Sequence, residues 1–380
     1  MTVNKTKKKR KKLRHNNIVY VIETVILTAA AVFLSVISGM LFADLTGLLC
    51  IVAASALITC VLFLTSASVM LISGVASFAI TFAINGNIIC ALASLIYIII
   101  GAFIYFGVRT KKNRTQITVG VTVFLTVFYI ALLVLYFILE TGTFSINMLS
   151  SMLDSELTKG TELLLEQYNS MLAQSSGAVA EEAAEVAYLM EDYAKELVMN
   201  LKAIIPACFI VYNAVIAYLS TSLFKMAYNI FIPMANPGRK KIKNKYWRIN
   251  ISVVSAIVLI ATLFMAFMFS KNDNVIPSIV LMNLIYILAP GFCVMGVYLI
   301  HDKIFKAKVG ILQVMLIIGA IMLVFVFPVS VVFILYSMAS ILMAIGLYSA
   351  VIDDIRKFLD KAKKALLGDE NDDDDDDYIE

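Results

Sequence analysis

Residues 117–139 read ITVGVTVFLTVFYIALLVLYFIL. The run carries no charge and does not alternate apolar with polar along its length, as a barrel strand would. A hydrocarbon layer ~30 Å thick asks a helix for about 20 apolar residues. In lipid the backbone must satisfy its own hydrogen bonds, which leaves helices and closed barrels. The run therefore reads as a membrane-crossing helix. Nine other stretches read the same way, at 18–41, 47–64, 67–85, 87–108, 203–233, 249–270, 277–300, 309–328 and 330–351. The last two form one run broken near Phe327-Pro328, and its length suits two spans.

Composition agrees with the blocks. The chain is 61% hydrophobic and 15% charged, against roughly 45–50% and 25% in soluble domains. The fold class expected is all-α: a polytopic membrane bundle of ten transmembrane helices with an extracytoplasmic amphipathic hairpin. Its parts are a basic head (1–17), five spans (18–139), the hairpin (140–202), five more spans (203–352) and an acidic tail (353–380).

Charge sets the orientation. Placing the N-terminus inside puts 26 of the 31 Lys and Arg in cytoplasmic segments. Positive residues mark that side, so an even number of spans with both ends cytoplasmic is expected. Trp247 and Tyr246, beside the basic 239–248 loop, suit an interfacial anchor. The head, from Lys5 to Arg14, and the Asp-rich stretch from Asp369 to Asp377 cannot build a core, and disorder is expected in both. The head attracts anionic lipid or simply sets orientation; without interleaved aromatics it points to no nucleic acid. The opening has the outline of a signal peptide, with Ala29-Ala30-Ala31, but its apolar run continues to Leu41, so a retained span is expected.

Residues 141–202 interrupt the membrane pattern. Leu149, Leu153, Leu157, Leu164 and Tyr168 make one helical stripe; Val179, Ala183, Val186, Met190, Tyr193 and Leu197 make another. Gln174-Ser175-Ser176-Gly177 supplies the turn. The acids of this segment read as solvated faces rather than cation sites.

Few residues point to a site. Glu23 lies inside the first span, where an ionisable group is costly; it either contacts a ligand or partner, or pairs near the interface. Ala31, Ser35 and Gly39 recur every four positions, a face that packs closely against its own bundle or docks a membrane-protein partner. Asn213, Asn229, Asn283 and Gln313 are amides in or near the later spans, and Lys225 is a cation there. They bond between helices or line a polar pocket for a small molecule. Pro277 and Ala289-Pro290-Gly291 kink or break the eighth span. The five cysteines lie in apolar blocks without C-x-x-C spacing, and the two histidines are far apart. No H-E-x-x-H, phosphate cradle or intramembrane Asp pair appears, so no enzyme, metal or cofactor is expected.

The stretch Leu201-Lys202-Ala203-Ile204-Ile205-Pro206, the loop end Tyr246-Trp247-Arg248, Ala289-Pro290-Gly291 and the close from Gly346 to Lys357 resemble the YybS-like family of bacterial membrane proteins, over about 200–360. That resemblance implies a place in the bacterial inner membrane. It also implies a distant similarity to the substrate-binding S components of energy-coupling-factor transporters, which dock their partner through Ala-xxx-Ala on the first helix; here that face reads Ala31, Ser35, Gly39. The functional expectation is a transport-related, small-molecule-binding protein without its own ATPase. The competing one is a non-transporting scaffold or regulator of envelope processes.

Overall fold

A computed structural model describes residues 2–41, 44–174, 180–235, 241–242, 247–269, 275–305 and 328–367. Among these the secondary structure is helical, in eleven elements. They are α1 (Thr2–Met40), α2 (Leu45–Leu64), α3 (Ala67–Asn85), α4 (Ile88–Ala93), α5 (Ile96–Arg109), α6 (Arg114–Thr141) and α7 (Ile146–Gln174), then α8 (Ala180–Ala235), α9 (Val253–Phe269), α10 (Val275–Phe305) and α11 (Pro328–Leu367). Eight stretches of described helix, the α4–α5 pair counting as one, are long and apolar enough to cross a membrane. Helix α9 is shorter, at 17 residues. The ninth expected span, the turn at 175–179, Gln313, Tyr246 and the Asp-rich stretch lie outside the described residues, the span's last residue, Pro328, excepted.

Helix α1 is described from Thr2, within the basic head. The eighth span is one helix through Pro290, so of the two readings the break does not hold. The fourth span is divided instead, into α4 and α5. Asn87 caps α4 by accepting from the N–H of Ile89 (2.8 Å) and Cys90 (3.5 Å).

The chain forms two compact units, each composed of non-contiguous segments. One comprises residues up to Leu132, Ile210–Ile260 and from Leu288 onward. Its radial pattern is inverted relative to a water-soluble domain. Leu71, Ile72, Val75, Val123, Val127 and Val254 face outward, while Ser35, Ser55, Thr59, Ser77, Thr81 and Thr221 are buried. Water would favour the reverse; lipid favours this arrangement, because a hydroxyl among acyl chains has no partner. The sequence blocks and this surface together make the chain a multi-pass membrane protein.

Helix α2 lies at the centre of the N-terminal helices, packed by α1, α3 and α5. Small residues allow this. Gly101 of α5 leaves no room for a side chain against Ile58, whose Cγ2 would lie 2.5 Å from an added Cβ. Phe63 of α2 meets Tyr105 of α5 at 4.9 Å and Tyr228 of α8 at 5.2 Å between ring centroids. Phe224 then meets Trp247 with tilted rings, 5.9 Å between centroids. Trp247 is buried and donates its indole N–H to the Thr221 carbonyl at 3.0 Å, so it is a core residue and not the interfacial anchor expected. Helices α10 and α11 cross where Gly296 faces the carbonyl of Leu342 and Gly346 faces that of Phe292; neither crossing has space for a Cβ.

The second unit comprises Leu133–Phe209 and Ala261–Ile287. Asp154 of α7 binds Lys202 of α8 through both carboxylate oxygens, at 2.7 and 2.9 Å. The midpoint of their 48-residue separation falls in the connection between the helices, the register of an antiparallel pair. Leu149, Leu153 and Leu157 are less exposed than Ser151, Met152, Ser155 and Glu156 around them, so this part of the first stripe is partly covered; the side chains of Leu164 and Tyr168 lie outside those described.

Candidate functional site

Helix α6 carries Arg114, Thr118, Thr122 and Thr126 at intervals of four, which stack along one helical face. Facing them on α8 are Asn213, Thr221 and Ser222, with Ser220 on the Asn213 face at a spacing of seven. Arg114 bonds Thr221 while Thr126 bonds Asn213, so the two helices run antiparallel through this seam. Arg114, Thr118, Thr122, Asn213, Ser220 and Thr221 are all buried, none more than 9% exposed.

Arg114 heads the seam. A guanidinium has five N–H donors in a fixed plane, and here each has an acceptor. Nε reaches Thr221 Oγ1 (3.2 Å); Nη1 reaches the Trp247 carbonyl (3.4 Å) and the Tyr298 hydroxyl (3.0 Å); Nη2 reaches the Tyr218 carbonyl (3.1 Å) and Ser222 Oγ. The Tyr218 ring lies 4.4 Å from the guanidinium carbon, within cation–π range. All of these partners are neutral. Thr221 and Ser222 donate their own hydroxyl protons to the Tyr218 carbonyl, at 2.9 and 2.7 Å, which turns their lone pairs toward the arginine. Burying a cation costs several kcal/mol, and hydrogen bonds to a charged group return about 1.5–3 kcal/mol each. Arg248 lies over the Tyr298 ring at 6.0 Å.

The same end of α6 fixes the chain before α9. Thr115 Oγ1 donates to the Asn250 carbonyl (3.1 Å) and accepts the Asn250 N–H (2.8 Å). Asn229 clips Ile242 by both its amide ends, at 3.2 and 2.7 Å.

Beyond Arg114 the seam is under-satisfied. Thr118 Oγ1 of α6 and Asn213 Oδ1 of α8 are buried with no hydrogen-bond partner among the described residues, as is Ser220 Oγ of α8. The Asn213 amide nitrogen bonds Thr126 Oγ1 at 3.2 Å. A buried polar atom left unpaired costs about 1–3 kcal/mol, and Thr118 and Asn213 belong to the faces that meet at Arg114–Thr221 and Thr126–Asn213. Such groups can donate to and accept from a polar molecule or water held between the helices.

The other expected site residues lie elsewhere. Ala31, Ser35 and Gly39 pack inside the N-terminal helices: Ser35 donates to Ser77 at 2.7 Å, Ser77 meets the Tyr97 hydroxyl at 3.0 Å, and a Cβ on Gly39 would sit 2.8 Å from the Cys90 carbonyl. The stripe is occupied by its own chain. Glu23 is half-buried on α1, and its Oε2 is buried without a partner among the described residues. Asn283 belongs to the second unit. Its Nδ2 donates to the carbonyls of Ala203 (2.7 Å) and Ile279 (2.9 Å), and its Oδ1 accepts the Ala207 N–H (3.0 Å).

Arg114, Thr118, Ser220, Thr221, Ser222 and Tyr298 were missed from sequence. Arg114 counted among loop charges, and hydroxyls inside a greasy block pass as helix filler. The usable signal was the interval of four from Arg114 through Thr126, which aligns one cation with three hydroxyls on a single face. Comparison with protein-family models, curated proteins and solved structures finds no match to this chain.

Proposed function

We propose that this multi-pass membrane protein binds a small polar molecule in the seam between α6 and α8, as a transport-related binding protein without its own ATPase. The observation that carries this reading is the pair of buried polar atoms, Thr118 Oγ1 and Asn213 Oδ1, left without a partner among the described residues on the two helix faces headed by Arg114. A sequence selected only for helix packing would satisfy or replace them, since apolar side chains of the same shape avoid the penalty. The resemblance of residues 200–360 to the YybS-like family, and through it to transporter S components, points the same way. In this reading ten spans cross the bacterial inner membrane, both termini are cytoplasmic, the α7–α8 hairpin lies outside, and Arg114 sits near the cytoplasmic face.

The test is purification of the full chain from native membranes, followed by identification of what accompanies it. A bound metabolite, or a co-purifying ATPase pair, is the expected result. An empty bundle accompanied by envelope-assembly proteins would replace this reading with that of a scaffold. Thr118→Val and Asn213→Leu should each reduce the recovered metabolite while leaving the protein folded.

A further inference from the structure

Helix α8 is a single element of 56 residues, from Ala180 to Ala235. Pro206 lies within it. Proline supplies no N–H, so the Lys202 carbonyl loses its helical donor, and the ring pushes that carbonyl aside. One residue further on, the rung between the Ala203 carbonyl and the Ala207 N–H is spanned by a side chain from another helix. The Asn283 amide donates to the first group at 2.7 Å and accepts from the second at 3.0 Å. Its remaining proton goes to the Ile279 carbonyl, one turn back on α10, which fixes the amide plane. Side chains that enter the helical ladder at a proline mark kinks.

The residues on either side sharpen this picture. Lys202, next to the weakened turn, is tied to Asp154 of α7 through both carboxylate oxygens. The segment of α8 before the proline is thereby coupled to α7, and the turn at the proline is held by α10. A helix bends where its own hydrogen bonds are fewest.

We propose that residues 202–207 of α8 are a hinge, that Asn283 is the catch holding it closed, and that α7 with the start of α8 is the lever. The inference does not depend on a ligand in the α6–α8 seam. When Asn283 lets go, the Ala203 and Ala207 groups depend on a turn already short of the Pro206 donor, the turn opens more often, and the lever changes its angle to α10.

Hydrogen exchange on the full chain in nanodiscs tests the catch. Asn283→Leu should speed exchange in peptides covering 203–210 roughly tenfold, the equivalent of about 1.4 kcal/mol. In a Pro206→Ala background, where the turn regains its own donor, the same substitution should change exchange less than about threefold. Equal acceleration in both backgrounds, no acceleration, or acceleration spread evenly over α8 and α10 would each overturn the hinge. Pro206→Ala alone, which removes no hydrogen bond, should slow exchange there; unchanged exchange also contradicts it. The lever has its own measurement. Spin labels at Glu166 and Val280, both exposed, should give one distance in the native protein and a second population in Asn283→Leu. A single unchanged distance would overturn the lever.

Discussion

Asn213 and Asn283 are the same residue in equally greasy surroundings, and the fold uses them in different ways. Asn283 makes three bonds, all to main-chain groups, and bridges two helices through them. Asn213, buried completely, bonds Thr126 through its nitrogen and leaves its oxygen without a partner among the described residues. A satisfied intramembrane amide is structural glue. An unsatisfied one either costs stability for nothing or awaits a partner. The same contrast separates Arg114, whose five donors are all met, from Thr118 one turn along the same face.

Substitutions can break this comparison at either end. The largest effect is expected at Arg114. Arg114→Met strands Thr221, Tyr298 and the Trp247 carbonyl, and should destabilise by about 3 kcal/mol, measured by thermal unfolding in nanodiscs. Arg114→Lys keeps the charge but loses the planar fork, and should recover less than half of that loss. Next comes Asn283→Leu, at about 2 kcal/mol for its bonds to α8, with the loss confined to the joint between α8 and α10. Lys202→Met should cost less than about 1 kcal/mol and should abolish any salt dependence of that joint, since exposed pairs are weak and screened. Asn213→Leu is expected to be the smallest: within about 1 kcal/mol of neutral, because the lost Thr126 bond is offset by removing an unpaired oxygen. A loss at Asn213 as large as that at Asn283 would erase the distinction.

Hydropathy alone made the bundle legible, because lipid permits so few backbone solutions. Residues 117–139 fall inside α6 and 203–233 inside α8. Local chemistry was harder to read. Pro290 could kink or break its span, and α10 continues through it, while Ser94 and Leu95, which carry no breaker signal, separate α4 from α5. Trp247 looked like an anchor because it follows a basic loop, but the aromatic pocket around Phe224 buries it. The small-residue stripe from Ala31 to Gly39 was visible as a packing face, and only coordinates could reveal that α3 and α4 already occupy it. Asn213 and Asn283 were both readable as polar residues in spans. Which one is satisfied depends on tertiary neighbours more than 75 residues away in sequence.

The most direct measurement is native mass spectrometry of the full chain released from its own membrane, side by side with Asn213→Leu. The account predicts a small polar adduct on the native protein and its loss from a variant of unchanged thermal stability. An adduct retained by Asn213→Leu, or a native protein that leaves the membrane bare, would contradict it.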